Sequence, residues 1–374
     1  MVLPLQIHEQ HINIQAYIQL SYDMDVLQKK TSWITNARPT SLVQSAMPAV
    51  LAVVLAVGQE GFCWWLALIA VLGVLAAHLG MNLADDYFDY KVDMLGDRDR
   101  VVRQGFRAMT AKYPYLANGS QTLRSTLRAI LGFGAVAMAG GAVIVVCRGC
   151  VGSLATTTGV WPLLLIVVLT LVLGIFYSAP PLKLGYRGLG ELVIGVIFGP
   201  LLMMGVYYSA TGTLRPDVVM VSIPVGLLVT NILFTHSFID KKGDEASNKM
   251  TLARLIGTNG GNLVASFLFN FLPFLMVLIA IVTGMMHVAY LAVLLVLPRA
   301  VWLWHSLALL SRGEDDRIEH QLQQPPRWLG PLTQWEDIRK AGLCWFMARW
   351  LTARNLLSGY CLIIILVRII LLLF

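Results

Sequence analysis

Residues 62–93 read FCWWLALIAVLGVLAAHLGMNLADDYFDYKVD. The first twenty are almost wholly apolar, and the stretch then turns acidic at Asp85, Asp86, Asp89 and Asp93. Twenty apolar residues in a helix rising about 1.5 Å each span the ~30 Å of hydrocarbon in a bilayer. A strand would leave its backbone groups unpaired in lipid, so a membrane helix is predicted here. The question it raises is why a lipid-embedded helix should end in a crowd of carboxylates.

The rest of the chain repeats the apolar theme. Of its 374 residues, 57% are hydrophobic and only 13% are charged, with mean hydropathy +0.69. Soluble domains carry about twice that charge fraction. Apolar blocks fall near 41–57, 62–83, 127–147, 160–177, 190–209, 217–238, 262–284, 286–310 and 355–374. The expected fold is therefore all-α, a polytopic membrane protein of about nine transmembrane helices in a single domain, residues 1–374. Residues 1–32 form a polar N-terminal segment without the basic start and short apolar core of a cleavable signal. Within 311–354, LTQWEDIRKAGLCWFMARW mixes Trp, Phe and basic residues as a helix lying at the interface does.

Charge sets an orientation. If the N-terminus is cytoplasmic, 24 of the 28 lysines and arginines fall on the cytoplasmic side of nine crossings. That asymmetry follows the positive-inside rule. It accounts for most of the net charge of +7, so nucleic-acid binding need not be invoked. Cys147 and Cys150 form a CRGC pair, but no second pair completes a metal-ligand set.

The carboxylates keep helical phase. Asn82, Asp86, Asp89 and Asp93, at i, i+4, i+7 and i+11, span an arc of about 60° if the helix runs on past residue 82. Asp85 borders that face. Far along the chain, FTHSFIDKKGDEASNKMTLARLIG places Asp240 and Asp244 at i, i+4, again at the cytoplasmic end of a helix. Clustered carboxylates near lipid repel and are poorly solvated. A divalent cation relieves both problems, and all-oxygen ligands point to Mg²⁺. A merely solvated acidic loop has no reason to keep helical phase, although it suits Asp97 and Asp99, which alternate with arginines. Between the clusters, FYSAPPLKLGYRGLGELVIGVIFGP offers Lys183 and Arg187 near the same face. They read equally as phosphate anchors or as positive-inside anchors.

These motifs resemble those of the UbiA superfamily of intramembrane prenyltransferases. DDYFDYKVD is similar to the first aspartate-rich motif, NDxxDxxxD. DKKGD with NKMTLARLIG resembles the second, DxxxD followed by GKxTLxxxLG. WITNARPTSLVQSAMPAVLA resembles the family's first-helix entry, and FYSAPPLKLGYRGLGELVIGVIFGP the segment of the branch that prenylates 1,4-dihydroxy-2-naphthoate for menaquinone. The pattern departs at Asp85 (for Asn), Ile239 (for Arg) and Asn248 (for Gly), and THSFID lacks the usual Asn–Asn–x–Arg–Asp wording.

The resemblance implies nine helices around a central cavity in a bacterial inner membrane, its mouth cytoplasmic. Asp86, Asp89, Asp93, Asp240 and Asp244 would bind Mg²⁺ and the diphosphate of a polyprenyl donor, with Asn82 supporting the first motif. Lys183, Arg187 and Lys249 would assist departure of the diphosphate, and an aromatic acceptor would attack the isoprenoid. Arg38 is a candidate for the acceptor carboxylate or a topology anchor. His236 would orient an acceptor hydroxyl or fix Asp240, and Tyr177 would face the allylic cation or simply pack. Two rivals predict other sequences. A cation-coupled transporter places carboxylates near the midplane, and a CDP-alcohol phosphotransferase needs a DxxDGxxAR-like motif that is absent here.

Overall fold

A computed structural model of the chain describes residues 32–93, 113–117, 119–150, 159–246 and 249–374. Among them, nine helices are long and apolar enough to cross a membrane. They are α1 (Pro39–Ala56), α2 (Trp64–Asp93), α3 (Leu123–Cys150), α4 (Trp161–Ser178), α5 (Gly190–Thr211), α6 (Pro216–Ile239), α7 (Asn259–Val282), α8 (Val288–Arg312) and α9 (Cys344–Leu373). The helix count agrees with the apolar blocks, and the described residues contain no strand beyond one isolated bridge, Arg187 with Met250.

α6 forms the centre, with 72% of its membrane window buried, whereas α3 lies at the rim with 6%. Small residues let the central helices touch. A Cβ on Gly199 of α5 would collide with Gly226 of α6, and one on Gly195 would collide with Thr230. In lipid, such close backbone approach gains dispersion contacts that the hydrophobic effect does not supply. Pro200 removes a backbone donor within α5, and the helix widens into a π-type turn over Ile197–Leu201.

Buried polar groups are paired across helices. Asn231 of α6 donates from Nδ2 to Asn270 Oδ1 of α7 at 3.0 Å, and Asn270 donates to the Ser266 carbonyl at 2.8 Å. At the end away from the acidic motifs, Arg148 donates to the carbonyls of Ser209 and Gly61, both at 3.1 Å.

One element runs as expected and one differs. α2 continues through the acidic stretch to Asp93, as the phase of its aspartates requires. The stretch expected to form one interfacial helix is instead divided between a short helix, Trp335–Lys340, and the first turns of α9. Arg349 bears on that difference. Its side chain is fully buried, forked onto Asp315 at 2.7 and 3.2 Å and onto the Ser306 carbonyl at 3.0 and 3.2 Å. A basic residue neutralised in this way can sit inside a helix bundle.

Candidate active site

The first acidic motif is held by groups from four separate segments. Asn82 donates from Nδ2 to the Ala37 carbonyl and to Ser41 Oγ, each at 2.8 Å, fastening α2 to the entry of α1. Arg38, in that entry, adopts a left-handed backbone at φ 56°. An L-residue there stores about 1–2 kcal/mol of strain. Its guanidinium lies 3.0 Å from Asp86 Oδ1 and 4.0 Å from Asp85 Oδ2, and donates to the Asn82 carbonyl at 3.2 Å. Asp86 is fully buried and also accepts from the Tyr115 hydroxyl at 3.1 Å. Burial and the Asp86 carboxylate both raise the Tyr115 phenol far above its usual range, so it remains a donor. Asp89 is buried and accepts from the Tyr186 hydroxyl, and Asp85 accepts from Ser178 Oγ at 2.9 Å. Asp93 closes α2 with its side chain outside the described residues, as are Asp97, Asp99 and Asn248.

The second motif begins where α6 ends. Asp240 caps α6 and Asp244 lies one turn on in the short helix Lys241–Ala246, its N–H donating to the Asp240 carbonyl at 2.8 Å. Both are buried. A Cβ on Gly243 would overlap the Asp240 carboxylate and push it aside. The Lys249 N–H then donates to the Asp244 carbonyl at 2.9 Å, turning the chain back. Two residues that the sequence reading missed secure this turn. Arg254 donates to the carbonyls of Lys249 at 2.7 Å and Asp244 at 3.3 Å. Glu191, at the start of α5, accepts from Ser237 Oγ at 2.6 Å and from the Leu252 N–H at 3.1 Å.

The two motifs meet. Lys249 Nζ sits 5.7 Å from the centre of the Tyr186 ring, and Tyr186 donates to Asp89. A cavity of about 520 Å³ is lined on one side by Arg38, Ser41, His78, Asn82 and Asp85, and on the other by His236, Asp244, Lys249 and Trp350. Apolar side chains of α3, α4 and α5, such as Ile130, Leu171 and Phe198, complete it. Tyr177 also faces it, with Gly185 and Gly190 lying flat on its ring: a Cβ on either would approach ring carbons to 3.1–3.3 Å. His236 makes an edge contact with Phe346 at 5.1 Å. Lys183 and Arg187 are not among the lining residues. Arg187 is exposed and donates to the Pro181 carbonyl at 3.3 Å. A slightly larger cleft beside α8, about 590 Å³ and lined by Leu294, Val301, Trp302 and Trp328, has no carboxylate in its wall.

The donors suit a hard cation, since Asp86, Asp89, Asp240 and Asp244 present oxygen alone. Among the described residues, no three His, Cys, Asp or Glu side chains gather closely enough to hold an ion unaided. This arrangement fits Mg²⁺, which keeps several waters and completes its octahedron with substrate phosphates.

Comparison with known proteins bears on the same residues. The chain is 30% identical over 230 residues to a 1,4-dihydroxy-2-naphthoate octaprenyltransferase of Mycobacterium leprae (60% of this chain, 69% of that one). It is 25% identical over 237 residues to a protein of that name in Bacillus subtilis (62% and 68%). The fold matches that of a UbiA homologue from Archaeoglobus fulgidus solved with GPP and Mg²⁺, at TM-score 0.52 and 13% identity over 89% of this chain and 99% of that one. The UbiA prenyltransferase family model matches residues 45–323, from within α1 past the end of α8, and so takes in both aspartate motifs and most of the residues lining the cavity. With the family's fold and its two motifs in place, the chain is a membrane-embedded member of the UbiA prenyltransferase family.

Proposed function

We propose that this prenyltransferase moves a polyprenyl group from a polyprenyl diphosphate to a hydroxylated aromatic acid, 1,4-dihydroxy-2-naphthoate in menaquinone biosynthesis, with Mg²⁺ as cofactor. The observation that carries the reading is the shared cavity, where Asn82 and Asp85 of one motif face Asp244 and Lys249 of the other. The names of the relatives supply the acceptor class.

Asp86, Asp89, Asp240 and Asp244, with Asp93, would hold the metal, which when bound neutralises charge on the leaving diphosphate. Lys249, on the cavity wall, would bind the diphosphate directly, and Lys183 and Arg187 would assist its departure from the adjoining segment. The apolar walls take the isoprenoid tail and keep water from the allylic cation formed as the carbon–oxygen bond breaks. Tyr177 presents its ring face to that cation. Arg38 neutralises Asp86 in the present arrangement. The Arg38 guanidinium would pair bidentately with the acceptor carboxylate. His236 fixes the opposite wall. The mouth faces the cytoplasm of a bacterial inner membrane, in keeping with the distribution of Lys and Arg.

The test uses membranes carrying the full chain, a labelled polyprenyl diphosphate and a panel of aromatic acids. Mg²⁺-dependent prenylation, greatest with dihydroxynaphthoate, is expected, and Asp89→Asn should lower kcat by at least about 10²-fold. Undiminished turnover by that variant would remove the metal role. Product from 4-hydroxybenzoate alone would reassign the acceptor.

A further inference from the structure

The wall built by α1 and α2 carries a histidine for which diphosphate chemistry has no use. His78 lies one turn before Asn82 on α2, only 6% exposed, and lines the cavity. Phe198, from the π-type turn of α5, packs on its ring with centroids 4.6 Å apart.

Each ring nitrogen faces a serine hydroxyl. Ser45 Oγ is 2.7 Å from Nδ1 and donates its own proton to the Leu42 carbonyl at 3.1 Å. Ser41 Oγ is 3.4 Å from Nε2; it donates to the Arg38 carbonyl at 2.8 Å and accepts from Asn82 Nδ2 at 2.8 Å. A serine hydroxyl has a single proton. When both serine protons rest on backbone carbonyls, as the contacts to Leu42 and Arg38 allow, the imidazole donates from Nδ1–H to Ser45 and Nε2 keeps its lone pair. That lone pair lies on the side of Ser41 and Asn82, which also line the cavity. A histidine that merely tied α1 to α2 would need only the Ser45 bond.

We propose that His78 is a catalytic residue whose Nε2 accepts the hydroxyl proton of the aromatic acceptor during prenyl transfer. This rests on the acceptor being a hydroxylated aromatic acid. In the transfer step the ring carbon that bears the carboxylate, ortho to the hydroxyl, uses a ring electron pair to form the bond to C1 of the prenyl group, and the C1–O bond breaks with its pair leaving on the diphosphate. The hydroxyl proton passes to Nε2, and the ring is left as its keto form, still bearing the carboxylate. Loss of CO₂ returns an electron pair to the ring. The oxygen then takes the proton back from Nε2, restoring the phenol and the neutral imidazole. Nδ1–H, held by Ser45, keeps the ring oriented through both transfers.

The experiment compares a hydroxyaromatic acid with its methyl ether, using the full chain in lipid nanodiscs with Mg²⁺ and a polyprenyl diphosphate. Wild type should prefer the free hydroxyl by roughly 10²-fold in kcat. In His78→Asn, whose amide can still donate to Ser45 but offers no acceptor at the Nε2 position, the two compounds should turn over at equally low rates. KM for the prenyl diphosphate should stay within about threefold of wild type. A wild-type preference for the hydroxyl in His78→Asn overturns the proposal. If that variant does not fold, His78→Gln decides: a hydroxyl preference with kcat lowered at least about tenfold supports the role, and any other result overturns it. A wild type that prenylates no hydroxyaromatic acid removes the acceptor reading itself, and this proposal with it, before any variant is made.

Discussion

At the scale of single residues, the site depends on atoms that are missing as much as on those present. Gly243 lets the Asp240 carboxylate fold back over its own turn. Gly243→Ala should push that carboxylate aside, lowering kcat by at least about tenfold and shifting the Mg²⁺ titration to higher concentration, with little change in melting temperature. Kinetics across a Mg²⁺ series would show it. The aspartates themselves were legible in the sequence because helical phase is local: residues at i, i+4 and i+7 share a face whatever packs on it. Their protein partners were not legible. Nothing in the spacing brings Tyr115 to Asp86 or Tyr186 to Asp89, since those pairs form between segments that only the tertiary fold brings together. Glu191 was passed over because a lone glutamate at the start of an apolar block looks like a helix-start charge. His78 did leave a usable signal, one turn before Asn82 on the same face.

At the scale of elements, hydropathy alone revealed the membrane helices, and it erred where a charge is buried in a pair. Arg349 and Arg354 made the last apolar block appear to begin at 355, while α9 begins at Cys344. Removing one partner of a fully buried ion pair costs about 3–5 kcal/mol, and removing Arg349 costs less than that because Asp315 is 31% exposed. Arg349→Met is therefore expected to lower the thermal midpoint in detergent. Combining it with Asp315→Leu should recover much of the loss, because two well-packed apolar groups replace both charges. Equal instability of the single and double variants would show that the pair is not what anchors the start of α9.

At the scale of the whole molecule, the carboxylates have protein partners ready. Asp86 is held by Arg38 and Tyr115, Asp89 by Tyr186, and Asp85 by Ser178. The bundle around them is tied by apolar packing and by pairs such as Asn231 with Asn270. Stripping divalent metal with EDTA should therefore abolish turnover while moving the melting temperature by no more than about 2 °C. Differential scanning fluorimetry beside the activity assay separates the two effects, and a large downward shift would mean that the ion is structural.

The rim position of α3 has a consequence for how the enzyme treats isoprenoids of different length. α3 and α4 form part of the cavity wall, yet most of their surface faces outward. Units of a long donor beyond those the protein encloses then rest among acyl chains, where they gain no more than they would in plain lipid. Under the proposed function, discrimination would thereby be confined to the few isoprene units nearest the diphosphate, and the bilayer would serve as a reservoir from which the donor arrives and into which the alkylated ring departs, without a passage through water.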